Sequence, residues 1–423
     1  MLPTRALAQN GHTPAPSINP GRLQQSLVEL SKFGRRAGGT FADGVSRVAY
    51  SDADVAGRAY AQQLMRDAGL NPTIDAAGNL IGRRPGSDPT RKPIVVGSHI
   101  DSVPGGGNFD GDLGSMAAIE VAHTLTDQRL PTRHPLEVVI WSNEEGETMG
   151  SVAAVGEVAE FADASSKAGI AARAGLRRIG GDPDHAAQAR RAPGSIRCYL
   201  ELHIEQGGVL DQAKIPIGVV DGIVSIDGYE VTIEGLANHA GTTPMPARQD
   251  ALVAAAKMIV AVNDIARAEP GRHVATVGKL EVLPNAMNVI PGLVRHTVEI
   301  RDLSAAKVAK LGAAIARRAD RIAVETRTKI VMKRFFHLEP ALADPELQSM
   351  IETAAAGLGL KTMHLPSGAG HDAQELAKIG PMAMIFVPSV NGVSHSPHEL
   401  TRWSDCANGA NVLLRTLLGI DRA

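Results

Sequence analysis

Short apolar runs that end abruptly in acids and histidines constrain this chain more than any other feature. Four polar clusters stand out: GSHIDSVPGGGNFDGD (97–112), WSNEEGE (141–147), ELHIEQG (201–207) and GVSHSPHE (392–399). Runs such as Ile94-Val95-Val96 and Leu136 to Trp141 show no polar alternation, so they read as strands buried on both faces. Helical segments stand between them. The first covers 21–34, with Leu23, Leu27, Leu30 and Phe33 at helical spacing. The next are 53–69, ended by Gly69, and 113–127, after a glycine-rich turn. Buried strands alternating with helices specify an α/β domain with a mainly parallel sheet. Four clusters following strands of one such sheet point to one assembled site.

The pattern changes after Lys214. IPIGVVDG and SIDGYEVTIEG alternate like half-exposed strands, followed by an Ala-rich helix at 248–267. VATVGKLEVL, LVRHTVEIRDL and TKIVMKRFF are further strands, and 304–321 is a helix that Ser304 can cap. Two helices beside a four-stranded antiparallel sheet make an α+β module, expected as an insertion at 215–331. The α/β domain then comprises 20–214 and 332–423, resuming with helix 344–357, strand 382–387 and helix 402–418. Residues 1–19 read as a disordered tail.

Bulk properties narrow the partners. Net charge is −2, so no basic face is offered to nucleic acid. No apolar stretch approaches the roughly 18 residues that span a bilayer. Only Cys198 and Cys406 are present, outside any Cys-rich motif, which points to a reducing, cytoplasmic setting. The segment LPTRALAQNG carries Ala-Leu-Ala, like the end of an export signal, but lacks the charged start and apolar stretch before it. A periplasmic location is the alternative, should this be a truncated signal.

The ligand types are those of a two-metal hydrolase. Period-two geometry places His99 and Asp101 on the same side of one strand. Asp101 is then placed to orient His99, as a metal-bound histidine requires. The glycine turn delivers Asp110, whose two oxygens suit a bridge between ions. Adjacent Glu144 and Glu145 repel unless cations or separate roles divide them. Glu145 is read as a ligand and Glu144 as the general base acting on water. His203 and His395 complete two sets: His99, Asp110 and His203, then Asp110, Glu145 and His395. Mixed nitrogen and oxygen donors suit two divalent ions of zinc, manganese or cobalt.

The chain resembles the M20 metallopeptidase superfamily. It is most similar to the hydantoinase/carbamoylase branch of N-carbamoyl-L-amino-acid hydrolases, β-ureidopropionases and allantoate amidohydrolases. The motifs carrying the likeness are GSHIDSVPGGGNFDG, NEEG, ELHIEQG, NHAGTTPMPARQDAL, PNAMNVIPG with EIRDL, GAGHDA and FVPSVNGVSHSPHE, in family order from 97 to 399. The resemblance implies a ferredoxin-like inserted lid that also makes a homodimer. It implies that His239, from the partner's inserted domain, stabilises an oxyanion. It also implies that Asn288 and Arg301 hold a substrate carboxylate, that Gln206 contacts substrate, and that His371 lies near the pocket. The implied reaction is hydrolysis of a linear non-peptide amide, above all an N-carbamoyl-L-amino acid, giving amino acid, carbon dioxide and ammonia. Allantoate and 3-ureidopropionate are rival substrates. A dipeptidase or aminoacylase is a further alternative, opposed by His203 where those relatives carry Asp. An inactive binding protein on the same scaffold would have no need of Glu144. One departure stands out: EEGETMGS is shorter than the family's usual segment and lacks its Arg-Phe, which leaves the substrate open.

Overall fold

The computed structural model describes residues 15–146, 148–158 and 165–423. The strands up to residue 223 are β1 (Asn71–Ile74), β2 (Leu80–Arg84), β3 (Ile94–His99), β4 (Leu136–Trp141), β5 (Cys198–Ile204) and β6 (Ile217–Ile223). Then come β7 (Ser225–Glu234), β8 (Asn238–His239), β9 (Val274–Thr276), β10 (Leu280–Leu283), β11 (Val289–Ile290) and β12 (Leu293–Asp302). The last are β13 (Lys329–Leu338), β14 (Ala341–Leu342), β15 (Thr362–Ser367) and β16 (Met382–Val387). The helices are α1 (Pro20–Leu30), α2 (Asp52–Asp67), α3 (Asp112–Asp127), α4 (Met149–Val155), α5 (Ala172–Arg178) and α6 (Val209–Ala213). They continue as α7 (Ala251–Ala268), α8 (Ala305–Thr326), α9 (Pro345–Ala356), α10 (Asp372–Leu376) and α11 (Trp403–Arg422).

These elements form two compact units. The first takes in the chain up to Val219, then Glu346–Met363 and Ile385–Ala423; the second is Val220–Pro345 with His364–Met384. The first unit is a mixed α/β fold whose central sheet is mainly parallel. Its order runs β1-β2-β4-β3-β5 and on to β16. β3 pairs in parallel with both β4 and β5, while β1 and β2 form an antiparallel margin. β3, β4 and β5 are buried along their whole length, β5 even though Glu201 and His203 alternate with its apolar residues. α3 packs against all three. Parallel strands share one carboxyl edge, so the polar segments after β3, β4 and β5 emerge together. The amide of Glu205 donates to the Val387 carbonyl, which brings the end of β16 to the same edge.

The fold begins earlier than expected, within the last residues assigned to the tail. Ile18 is buried, its amide donates to Asn411 Oδ1 (3.0 Å), and the Asn19 amide donates to Glu120 Oε1 (2.8 Å). An apolar anchor and two side-chain acceptors, Asn411 and the buried Glu120, therefore fix residues 18 and 19. Residues 1–14, with the Ala-Leu-Ala segment, lie outside the described residues, as does Glu147 of the shortened segment.

The second unit holds a separate antiparallel sheet in the order β10-β12-β7-β13, with β9 also paired to β12. Helices α7 and α8 cover it through Met258, Val262, Leu311 and Ile315, packed against Val231, Val294 and Val298. The sheet has five strands rather than four. VATVGKLEVL lies beside β12 throughout, but Val277-Gly278-Lys279 stand opposite only Thr297 and Val298, so a bulge divides it. Residue 331, the expected end of the insertion, falls inside β13, which pairs with β7 as far as Leu338 opposite Ile226.

Candidate metal centre

β3 delivers His99 as its last residue, 2% exposed. Its Nδ1 lies 2.9 Å from the main-chain oxygen of Asp101. That nitrogen therefore carries the proton and donates, leaving Nε2 as an electron-pair donor. Gly111, at φ 67°, closes over the ring, and a Cβ there would overlap it. His203, near the end of β5, repeats the device: Nδ1 is 2.9 Å from the Ile204 carbonyl, and Nε2 is 3.2 Å from Asp110 Oδ1. His395 adopts a left-handed backbone (φ 52°). Its Nε2 is 3.1 Å from Asp110 Oδ2 and 3.5 Å from Glu145 Oε1. Each oxygen of Asp110 thus faces one histidine.

The charges fit a cation site. Burial raises the Asp110 carboxyl, but hydrogen bonds from His203 and His395 outweigh it and hold the group well below the usual carboxylate range. Burial lowers His203, yet Asp110 brings it up to about 9. Asp110 likewise lifts His395 to about 9. Burial, then the Asp110 charge, raises Glu145. The clustered carboxylates require positive charge, which protonated imidazoles supply here and which divalent cations would supply with neutral imidazoles. Donor atoms of His99, Asp110 and His203 lie within 4.8 Å of one another, as do those of Asp110, Glu145 and His395. The residues present fit a divalent-metal site.

Asp101 works differently from the expectation. Its carboxylate is 3.9 Å from His99 Nδ1, and the closer contact is through its backbone oxygen. The two carboxylate oxygens instead accept the amides of Glu144 and Glu145, each at 3.2 Å. A main-chain carbonyl thus orients His99, and the Asp101 side chain pins the turn that presents both glutamates. Glu144 Oε2 lies 3.6 Å from His99 Nε2, at the ligand cluster. Gln206, at φ 58°, donates Nε2–H to Asp110 Oδ2 (3.0 Å), so it touches the ligand set itself.

Two further groups were not singled out from the sequence. Arg47 is fully buried and donates to Ile100 O (2.6 Å), Leu30 O and Phe33 O (both 2.9 Å), and to Asp112. It joins the ends of α1 and β3 to the start of α3. Glu399, in the quoted GVSHSPHE cluster, accepts from backbone beside Asp110. Neither has a metal-ligand spacing to betray it.

The remaining candidates lie in the second unit. His239 is exposed on β8, and its Nδ1 accepts the amides of Gly241 (3.0 Å) and Thr242 (3.3 Å). The neutral ring therefore presents Nε2–H outward as a donor. The Ala240 amide donates to the Asn288 carbonyl (3.0 Å), so His239 and Asn288 share one ribbon of β8 and β11. Arg301 lies elsewhere, near the far end of β12, donating to Glu299 Oε1 (2.8 Å) and to Gly368 O (2.6 Å). His371 is buried, with Nε2 2.8 Å from Ser367 Oγ.

Comparison with known proteins places this geometry among relatives. The sequence profile of peptidase family M20/M25/M40 matches residues 95–419. An N-carbamoyl-L-amino acid amidohydrolase of Geobacillus stearothermophilus is 42% identical, over 95% of this chain and 98% of its own. A ureidoglycolate hydrolase of Arabidopsis thaliana is 33% identical, over 95% of this chain and 86% of its own. Among solved structures, a hydantoinase/carbamoylase family amidase from Burkholderia multivorans is 37% identical with a TM-score of 0.88, covering 97% of this chain and all of its own.

Proposed function

The chain belongs to peptidase family M20/M25/M40, and on that premise we propose that it hydrolyses N-carbamoyl-L-amino acids to amino acid, carbon dioxide and ammonia. It is a hydrolase of carbon–nitrogen bonds other than peptide bonds, as its relatives' names indicate. The observation that carries the site reading is Asp110, a buried carboxylate with a histidine at each oxygen and Glu145 alongside. His99, Asp110 and His203 would hold one divalent cation, and Asp110, Glu145 and His395 a second, of zinc, manganese or cobalt. Bound cations supply Lewis acidity to the scissile carbonyl and to water.

The protein's own groups do the rest. Glu144 accepts a proton from the attacking water and returns it to the departing nitrogen. His239 donates its Nε2–H to the developing oxyanion. Arg301 grips the substrate carboxylate with its planar fork, assisted by Asn288, and Gln206 contacts the reacting group. His371 lines the pocket.

The second unit is proposed as a lid and as the contact of a homodimer. Arg301 pairs opposite Ile226, and Leu293, at the start of β12, opposite Glu234, next to the β8–β11 ribbon. Eight residues of antiparallel strand span about 27 Å. One small substrate cannot bridge that distance, so Arg301 of one chain would act with His239 and Asn288 of the other. No described helix is long and apolar enough to cross a membrane. A cytoplasmic location is proposed on the two cysteines outside any Cys-rich motif.

The test is a substrate panel with added Mn²⁺, Co²⁺ or Zn²⁺, following release of ammonia and amino acid. It contains N-carbamoyl-L-amino acids, 3-ureidopropionate, allantoate, ureidoglycolate and dipeptides. N-carbamoyl-L-amino acids should show the highest kcat/KM. Turnover of allantoate or ureidoglycolate alone would replace that substrate, and rapid dipeptide cleavage would replace the reaction class.

A further inference from the structure

We propose that Glu399 is a positioning residue that sets the affinity of the cation site by fixing the loops of Asp110 and His395 to each other. The inference rests on reading those two residues as ligands.

Glu399 belongs to neither ligand triad, yet it is 4% exposed and engaged on both oxygens. Oε1 accepts the amides of Phe109 (3.0 Å) and Asp110 (3.1 Å). Oε2 accepts the hydroxyl of Ser394 (2.9 Å), the residue before His395. Ser394 Oγ is in turn 3.4 Å from Asp110 Oδ2. One carboxylate therefore spans two loops that the sequence separates by 284 residues at Asp110 and Ser394. The fold makes room for it: a Cβ at Gly107 would overlap the Glu399 carboxyl, so the turn before Asp110 must be bare backbone there. A carboxylate that only filled space would not take a ligand's own amide and the preceding one on one oxygen and the neighbour of a second ligand on the other. Outer groups that orient ligands typically carry a 10- to 100-fold effect on affinity.

The chemistry separates variants cleanly. Glu399→Ala leaves the Phe109 and Asp110 amides and the Ser394 hydroxyl without their acceptor. Glu399→Gln keeps a carbonyl oxygen for the two amides and turns its NH₂ to the Ser394 oxygen, whose proton can rotate away. Position, rather than charge, is what the site needs from this residue. Glu399→Asp is one carbon shorter and cannot reach both loops.

The experiment measures Zn²⁺ and Mn²⁺ affinity of the full chain by competition with a chelator, alongside the melting temperature of the metal-free protein. Glu399→Ala should bind roughly 10- to 100-fold more weakly, with Glu399→Gln within a few-fold of wild type. If Glu399→Ala fails to fold, Glu399→Asp carries the same expectation. Wild-type affinity in the Ala or Asp variant overturns the proposal, and so does a Gln variant as weak as Ala. A wild type that binds neither ion would instead overturn the ligand reading on which the proposal stands.

Discussion

Glu144 faces the ligand cluster through Oε2, 3.6 Å from His99 Nε2, while Asp101 holds its amide. Glu144→Gln keeps the shape and removes the proton acceptor. kcat should fall about 10²- to 10⁴-fold, with metal content unchanged. Steady-state kinetics beside metal analysis checks this, and an unaltered kcat would remove Glu144 from the base role. The histidines and acids proposed as ligands could be singled out because each lies at or beyond the end of a buried strand, where a fold of this class presents chemistry. The function of Asp101 was not. Alternation predicts which side of a strand a residue occupies, and says nothing of whether its side chain or its carbonyl makes the contact. Glu399 was invisible for a related reason, since two of its partners are backbone amides, which carry no residue type.

At the scale of elements, Arg47 is the tie between α1, β3 and α3. A buried guanidinium whose acceptors are two helix-end carbonyls, a strand-end carbonyl and Asp112 cannot be removed cheaply. Arg47→Met should cost about 3–5 kcal/mol, read by urea unfolding; a loss below about 1 kcal/mol contradicts that role. α2 carries a pH-dependent strain. Burial raises the Asp54 carboxyl from 3.8 to about 6. The folded state then binds more protons than the unfolded, so this group's contribution falls as pH rises from about 4 to about 6. Asp54→Asn retains an acceptor for the Tyr50 amide (2.8 Å) and removes that slope. Near pH 7 the variant should gain up to roughly 3 kcal/mol over the wild type, and near pH 4 nothing. Urea titrations at both pH values decide it, and a variant less stable at pH 7 rejects it. The buried strands were readable from unbroken apolar runs, and the amphipathic helices from their period. β1 and β2 were not, because Asn71–Ile74 and Leu80–Arg84 are four and five residues long and no run in them is long enough to show a period. The bulge that splits β9 from β10 lies in register, which one strand's sequence does not contain.

The whole molecule adds a requirement that no single residue shows. Arg301 and the His239–Asn288 ribbon sit at opposite ends of β12, so the proposed site needs two chains. Arg301→Ala and His239→Ala homodimers should each be nearly inactive. Mixed at equal amounts and reassembled, half the dimers are heterodimers, each with one intact site, so about a quarter of wild-type activity should return. No recovery would return both groups to one chain. In the sequence, the change of pattern is visible where buried runs give way to alternating strands near Lys214. Its end was harder to place, since β13 continues the same alternation past residue 331 to Leu338. All of this depends on the cation site around Asp110. The most direct test is metal content per chain, measured by elemental analysis after loading with Zn²⁺ or Mn²⁺ and desalting. The account predicts about two ions for the wild type and fewer than one for Asp110→Ala, because one carboxylate serves both triads. A wild type that retains no ion, or an Asp110→Ala variant that retains two, would contradict it.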